Sequence, residues 1–346
     1  DLIQVKRTDS GSVGGTDFSF EKGSASNVEV TWNDRLRDFW EEFIYKPGVV
    51  AWDDWRTRVG LFITLFFVFM GTVGATLYRE PSTNQVPRSV APLQNPEYIL
   101  GTTPLGEDVL AKIIHATPDI LIMITAGAVW ATGLALLIGV LAGYKGGLTD
   151  RALTSMSDVA MSIPGLPLIM VLLVTVQPTN PAIIGGIITI NYWAGLGRGL
   201  RSQVLTLRDE PYVEASRTMG VGTLRIMFKD IIPNLMPFVL VNFVHAARYV
   251  IFQAVALYYL GILPSGTSNW GIMLDQAVNS YGALFSLSGA YLVFIPTMAI
   301  LLLTLGLILL AQGTDRIFNP RVRTRLAGES ESTEEEADEP VVAGGM

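Results

Sequence analysis

Cysteine is absent from this 346-residue chain, and histidine occurs twice, at His115 and His245. The first absence excludes disulfide frameworks, thiol nucleophiles and Cys-based metal sites, and the second leaves little material for a His-rich one. Charge is scarce as well. Only 16% of residues are Asp, Glu, Lys or Arg, 50% are hydrophobic, and the mean hydropathy is +0.41. That balance excludes a soluble domain of ordinary composition and predicts a chain that crosses a membrane several times. The sequence also lacks H-E-x-x-H, a G-x-x-x-x-G-K-[ST] phosphate loop and a G-x-S-x-G elbow. Gly195, Gly197 and Gly199 are closely spaced at a helix end with no strand before them, so a dinucleotide fold is not expected either. No catalytic residue, metal ligand, cofactor or nucleic-acid partner is therefore expected.

The formal charge of -7 is concentrated at one end. Glu329, Glu331, Glu334, Glu335, Glu336, Asp338 and Glu339 account for all of it, which leaves a neutral body followed by an acidic tail, 326–346, expected to be disordered and cytoplasmic. Residues 1–58 are expected to form a cytoplasmic N-terminal segment, rich in Gly, Ser, Thr and Asp at first. Within it, Trp32, Leu36, Phe39, Trp40 and Phe43 recur at helical spacing. That amphipathic helix either packs on protein or lies in a membrane interface, and Trp52 and Trp55 extend the same aromatic belt.

The body, 59–325, reads as an all-α, six-span membrane domain. The spans are expected at about 59–78, 120–144, from Asp150-Arg151 to 176, 182–197, from Pro237 to 263, and 291–312. Pro164 and Pro167 should kink the third. Lys145, Arg151 and the basic flank Arg316, Arg321, Arg323 and Arg325 fall on the side of the termini. The opposite loops hold Arg79, Arg88 and Lys112, so the positive-inside rule places both termini in the cytoplasm.

One stretch between the fourth and fifth spans is too charged to cross. Its coupling loop, 198–236, carries Arg198, Arg201, Arg208, Arg217, Arg225 and Lys229. Pro211 suits a first helical turn, Glu214-Ala215-Ser216 follow, and Gly220 permits either a positive φ or tight packing. A structured loop of this length reads as a docking surface or as a solvated loop helix. In the fifth span, Asn242, His245 and Arg248 are spaced by three, with Gln253 near the same stripe. An Arg within a span costs about 2.5–3.5 kcal/mol on insertion scales, so it should face a polar path or a partner helix instead of lipid. His115 has no matching ligands and reads as a surface or interfacial residue.

Glu214-Ala215-Ser216, Gly220 and Ile231-Ile232-Pro233-Asn234 resemble the E-A-A, G, I-L-P-N signature of permease subunits of ABC importers, in the dipeptide/oligopeptide branch. The resemblance runs in order over about 59–325. Leu100-Gly101-Thr102 and Gly106-Glu107-Asp108-Val109-Leu110 look like the segment before the second span. Asp150-Arg151, Asp158 and Ser162-Ile163-Pro164 follow. Next come Trp193, Arg198, Arg201, Gln203-Val204-Leu205, Arg208 and Tyr212, and finally Leu260-Gly261, Asn269-Trp270-Gly271 and Asn319-Pro320-Arg321. Four places depart from the family pattern. Glu107 stands where Arg is usual, Ala290-Tyr291 where Pro-Trp is common, Ala254 where an acid is frequent, and Arg248 where a small residue is usual.

The resemblance implies a type I importer fold in a plasma membrane. It makes Tyr212, Glu214, Ala215, Ser216, Gly220, Ile232 and Pro233 the segment that couples to a cytoplasmic ATPase, while Asn242, His245, Arg248 and Gln253 read, from their polarity and spacing, as the lining of the pathway or as a buried network at a subunit interface. The implied partners are a second homologous permease, two ATPase subunits carrying ATP-Mg, an extracellular substrate-binding protein and membrane lipid. Peptides are the expected cargo, with sugars or nickel as alternatives on the same architecture. An ion-coupled carrier or channel is the alternative from another class. The excess of Arg over Lys, with the acidic tail, resembles halophilic archaeal proteins.

Overall fold

The computed structural model describes residues 54–263 and 269–318, which are helical apart from turns and loops. The amphipathic stretch 32–43, Trp52 and the acidic tail lie outside these residues. Helix α1 is Trp55–Leu77 and α2 is Val109–Lys145. Two shorter helices follow, α3 at Gly147–Ser162 and α4 at Gly165–Val176, then α5 at Pro181–Ile188 and α6 at Tyr192–Leu207. Helix α7 is Pro211–Thr218, α8 is the long run Thr223–Tyr259, α9 is Trp270–Asp275 and α10 is Tyr291–Phe318. Among the described residues, α1, α2, α8 and α10 are long and apolar enough to cross a membrane, and α3 with α4 makes a fifth if the bent pair counts as one span.

The differences from the expected spans have local causes. Helix α2 starts at Val109 instead of 120 because Asp108 caps it, accepting from the Leu110 amide at 2.9 Å. It then runs through Pro118 for 37 residues, and it stops at Gly146, whose φ of +65° leaves the helical region. The kink expected in the third span is a break: α3 and α4 meet at 82° across Ile163 and Pro164, because the residue before a proline is driven out of helical geometry. The fourth expected span is also divided. Helix α5 has eight residues and α6 sixteen, separated at 189–191, and α6 continues past 197 to Leu207. The fifth begins at Thr223, well inside the charged stretch, and carries Pro233 and Pro237 in its first turns after a π-helical turn at Met227–Ile231.

Helix α2 is the packing centre, with α6, α5 and α8 against it, while α1 packs on α10 and α10 on α8. Between apolar helices in lipid there is no water to expel, so close approach and dispersion must hold them together. The residues supplying that approach are Gly127, Ala131, Ala135, Gly139 and Gly143, all buried and four apart along α2. A Cβ on Gly139 would come within 2.7 Å of the Gly197 carbonyl oxygen, and one on Gly185 within 2.2 Å of the Met123 oxygen. These helices therefore touch backbone to backbone. Gly60 on α1 faces Gly306 on α10 in the same way, at 2.8 Å from its carbonyl.

The buried residues form two clusters. The larger joins α1, the first half of α2, α4, α5, most of α8, α9 and α10 around Met123, Ile251 and Trp270. The smaller joins the last part of α2, α6, α7 and the first part of α8 around Leu200, Val213 and Ile231. It lies at the end where α1 begins and α2, α6 and α10 stop, called here the near end. At the far end, residues 79–108 form an ordered cap. Arg79 pairs with Asp108 at 3.0 Å and Glu97 at 3.3 Å, and the Tyr291 hydroxyl donates to the Thr102 carbonyl at 2.5 Å.

Candidate coupling segment and polar stripe

The near-end site is built from the residues that follow α6. Pro211 opens α7 with its fixed φ. One turn on, Val213 is fully buried in the smaller core, while its neighbours Tyr212, Glu214 and Ala215 are exposed. The helix is thus pinned by a single apolar side chain. Its end is closed by two reciprocal bonds: the Gly220 amide donates to the Arg217 carbonyl at 2.9 Å, and the Val221 amide to the Ser216 carbonyl at 3.0 Å. Gly220 sits at φ +75°, where a side chain would be strained, and nothing lies within 4 Å of where a Cβ would be. Glycine is therefore required by the backbone and not by crowding.

Tyr212 is also tied to α8. Asn234 donates to the Tyr212 hydroxyl at 3.3 Å and to the Asp230 carbonyl at 2.7 Å. Burial, then the charges of Glu210 and Asp230, push the Tyr212 phenol above its ordinary pKa. Ile232 is half-buried and Pro233 exposed at the start of that helix, so the expected coupling residues share one structural unit. Met219, Leu224 and Phe228 add exposed apolar surface to it, with Met219 74% accessible. These three were not singled out by sequence, where each reads as an ordinary apolar residue of a helix.

Behind this unit, Arg201 on α6 grips Asp150 on α3 through both carboxylate oxygens, the second contact at 2.6 Å. Arg198 pairs with Asp158, about two turns further along α3. The D-R and R-x-x-R elements of the sequence are therefore the two sides of one ion-paired helix contact.

The polar residues of α8 lie along a partly exposed stripe. Asn242 bonds back to the Phe238 carbonyl at 2.8 Å, His245 is exposed, and Arg248 and Gln253 are half-buried. The structure adds aromatic neighbours to this stripe: the rings of Tyr192 and Tyr249 lie with centroids 4.8 Å apart and planes tilted by 34°. The stripe holds no ion pair among the described residues. Ala254, one of the departures from the family pattern, is buried at 4% exposure.

Two further side chains find partners at the far end. His115 places Nε2 3.1 Å from the Tyr78 and Arg79 carbonyls, closing the turn after α1, and no metal-competent cluster occurs among the described residues. Glu107, unusual for the family pattern, has its own counter-charge. It accepts from Lys112 at 2.7 Å, and Lys112 also reaches Gln276 at 2.9 Å.

Taken together, these features define a multi-pass helical membrane component with a structured, exposed short helix at one end. The model of the family described as binding-protein-dependent transport system inner membrane components matches residues 135–324. The chain belongs to that family. It is 31% identical to the oligopeptide transport system permease protein OppC of Bacillus subtilis over 253 residues, covering 68% of this chain and 80% of the relative. It is 29% identical to the dipeptide transport system permease protein DppC of the same organism, covering 78% and 86% of the two chains. With the di/tripeptide transport system permease protein DppC of Pseudomonas aeruginosa the identity is 26%, over 86% and 96%.

Proposed function

We propose that this chain is the permease subunit of an ATP-driven peptide importer and that α7 is the element through which a cytoplasmic ATPase moves it. The observation that carries the reading is the construction of α7. One buried anchor, Val213, and one glycine-closed end, Gly220, present Tyr212, Glu214 and Ala215 on a rigid exposed turn. Relatives are named for oligopeptide, dipeptide and di/tripeptide transport, which supports peptides over sugars or nickel.

The chain's own sequence contains no phosphate loop, so ATP-Mg belongs on two partner ATPases. The near end faces the cytoplasm of a plasma membrane, in keeping with the basic residues gathered there. A second homologous permease supplies the other half of the path, and an extracellular binding protein delivers cargo to the far end. Asn242, His245, Arg248 and Gln253 line the path. Closure of the ATPases displaces α7, and α8, continuous from Thr223 to Tyr259, carries the displacement to this stripe.

The test is Glu214→Arg in the assembled transporter. Membrane insertion and subunit abundance should be unchanged, while peptide-stimulated ATP hydrolysis and peptide uptake fall together by tenfold or more. Wild-type uptake in that variant would overturn the coupling assignment.

A further inference from the structure

A cavity of about 540 Å³ opens beside α7, lined among others by Tyr144, Lys145, Arg208, Asp209 and Arg217. Three helix ends converge on it, those of α2, α6 and α7, and each brings a cation. The bland account is that basic side chains complement helix C-termini, and two of them do so. Arg208 donates to the Gly143 carbonyl at 3.3 Å, and Arg217 to the Arg208 carbonyl at 3.3 Å. Yet a guanidinium has five N–H donors, and these bonds use few of them.

Arg217 is further fixed over the Tyr144 ring, 5.2 Å from its centroid. Lys145 is exposed and has no hydrogen bond or ion pair among the described residues. Against three positive charges the lining offers one carboxylate, Asp209, 3.3 Å from the Arg208 Nε. Asp150 also acts on Arg208, but it is held by Arg201 through both oxygens. A concave wall with prepositioned arginines and an unclaimed ammonium suits a compact anion with several acceptor oxygens.

We propose that this cavity binds a phosphate-bearing anion, drawn from either of two sources, an anionic phospholipid headgroup or soluble phosphate. Its level in the molecule favours the headgroup. The apolar run of α2 ends at Tyr144, a residue type that settles at membrane boundaries, and Leu148, 83% exposed, lies just beyond the turn. A headgroup at the cavity would thus have acyl chains beside apolar surface. Because Tyr144 and Arg217 belong to different helices, the bound anion would also brace the end of α7 against α2. The binding itself does not depend on what α7 docks against.

The experiment uses the full chain in neutral detergent, with phosphatidylglycerol, phosphatidylcholine and inorganic phosphate as probes. Native mass spectrometry reads bound lipid, and thermal unfolding reads stabilisation. Phosphatidylglycerol should bind and raise the midpoint where phosphatidylcholine does not. Lys145→Gln, which removes an exposed charge without touching a packed group, should weaken that binding about fivefold. Lys145→Gln with Arg217→Gln should weaken it further, Arg217→Lys should keep most of it, and Arg88→Gln at the far end should leave it unchanged. Stabilisation by inorganic phosphate that is lost in Lys145→Gln supports the site with soluble phosphate as its source. Equal binding of the two lipids, or undiminished phosphatidylglycerol binding in the double variant, together with no effect of inorganic phosphate, would overturn the proposal.

Discussion

Asn234 reaches across from the first turns of α8 to the Tyr212 hydroxyl, joining the two ends of the coupling stretch at 3.3 Å. The bond makes α7 and the root of α8 one body, so displacement of the first is displacement of the second. Tyr212→Phe removes the acceptor and keeps the ring. Being half-exposed, the bond should contribute about 1 kcal/mol or less to stability. The expected signature is unchanged subunit abundance with a several-fold loss of peptide uptake per ATP hydrolysed, and Asn234→Ala should reproduce it. Additive losses in the double variant would show that the two residues act separately.

Gly220 allows a cleaner test of backbone geometry. With open space around the missing Cβ, Gly220→Val adds strain and no clash. A β-branched residue at φ +75° should cost about 1–2 kcal/mol, and Gly220→Asn clearly less. The valine variant should unravel the end of α7 and speed limited proteolysis between 216 and 224, with the asparagine variant intermediate. Equal cleavage of all three chains would mean that the positive φ is not needed.

Adjacent glycines on α5 should behave in opposite ways. A Cβ on Gly185 would fall 2.2 Å from a backbone oxygen of α2, whereas one on Gly186 meets nothing within 4 Å. Gly185→Ala must push two helices apart and should destabilise the protein by about 1–3 kcal/mol, enough to lower folded yield in membranes. Gly186→Ala should be neutral by the same thermal measurement.

The ion pair under the far-end cap predicts rescue. Lys112 and Glu107 are 8% and 13% exposed, so removing one partner leaves a poorly solvated charge. Glu107→Arg, which restores the residue usual in the family, should destabilise this chain because Lys112 would then face a like charge. Glu107→Arg with Lys112→Glu should recover most of the loss. A single variant as stable as the parent would show that the pair is inert.

What the sequence made legible follows from which signals are local. Apolar runs disclosed the long helices, and the stretch from Pro211 to Gly220 disclosed a short helix with a turn at its end. The far-end start of α2 was missed because Asp108 acts as a cap only once the 79–108 cap has folded around it. The breaks at 163–164 and 189–191 were blurred for a related reason: hydropathy sees an apolar run and not its direction. Glu107 looked like a departure because its counter-charge lies five residues away and is buried with it. The backbone contacts of α2 did have a local signal, small residues at 127, 131, 135, 139 and 143, but it is easily lost among other alanines and glycines. The basic cavity had none, since Tyr144, Arg208 and Arg217 meet only in three dimensions.

The interruption between α5 and α6 falls where the two buried clusters meet. Ile184 and Ile188 before it belong to the larger cluster, and Trp193 and Leu200 after it belong to the smaller. Thr189 straddles the gap, its hydroxyl donating to the Gly127 carbonyl of α2 at 3.2 Å and to the Gly185 carbonyl at 3.1 Å. The chain is thereby divided at a definite height along α2. The break is confined to the α5–α6 run: α2 and α8 continue unbroken through both clusters, and α6 is itself held to α2 where Gly139 meets the Gly197 carbonyl. If α7 is the element that an ATPase moves, as proposed, its displacement reaches the larger cluster through the unbroken α8 and not through the divided α5–α6 run.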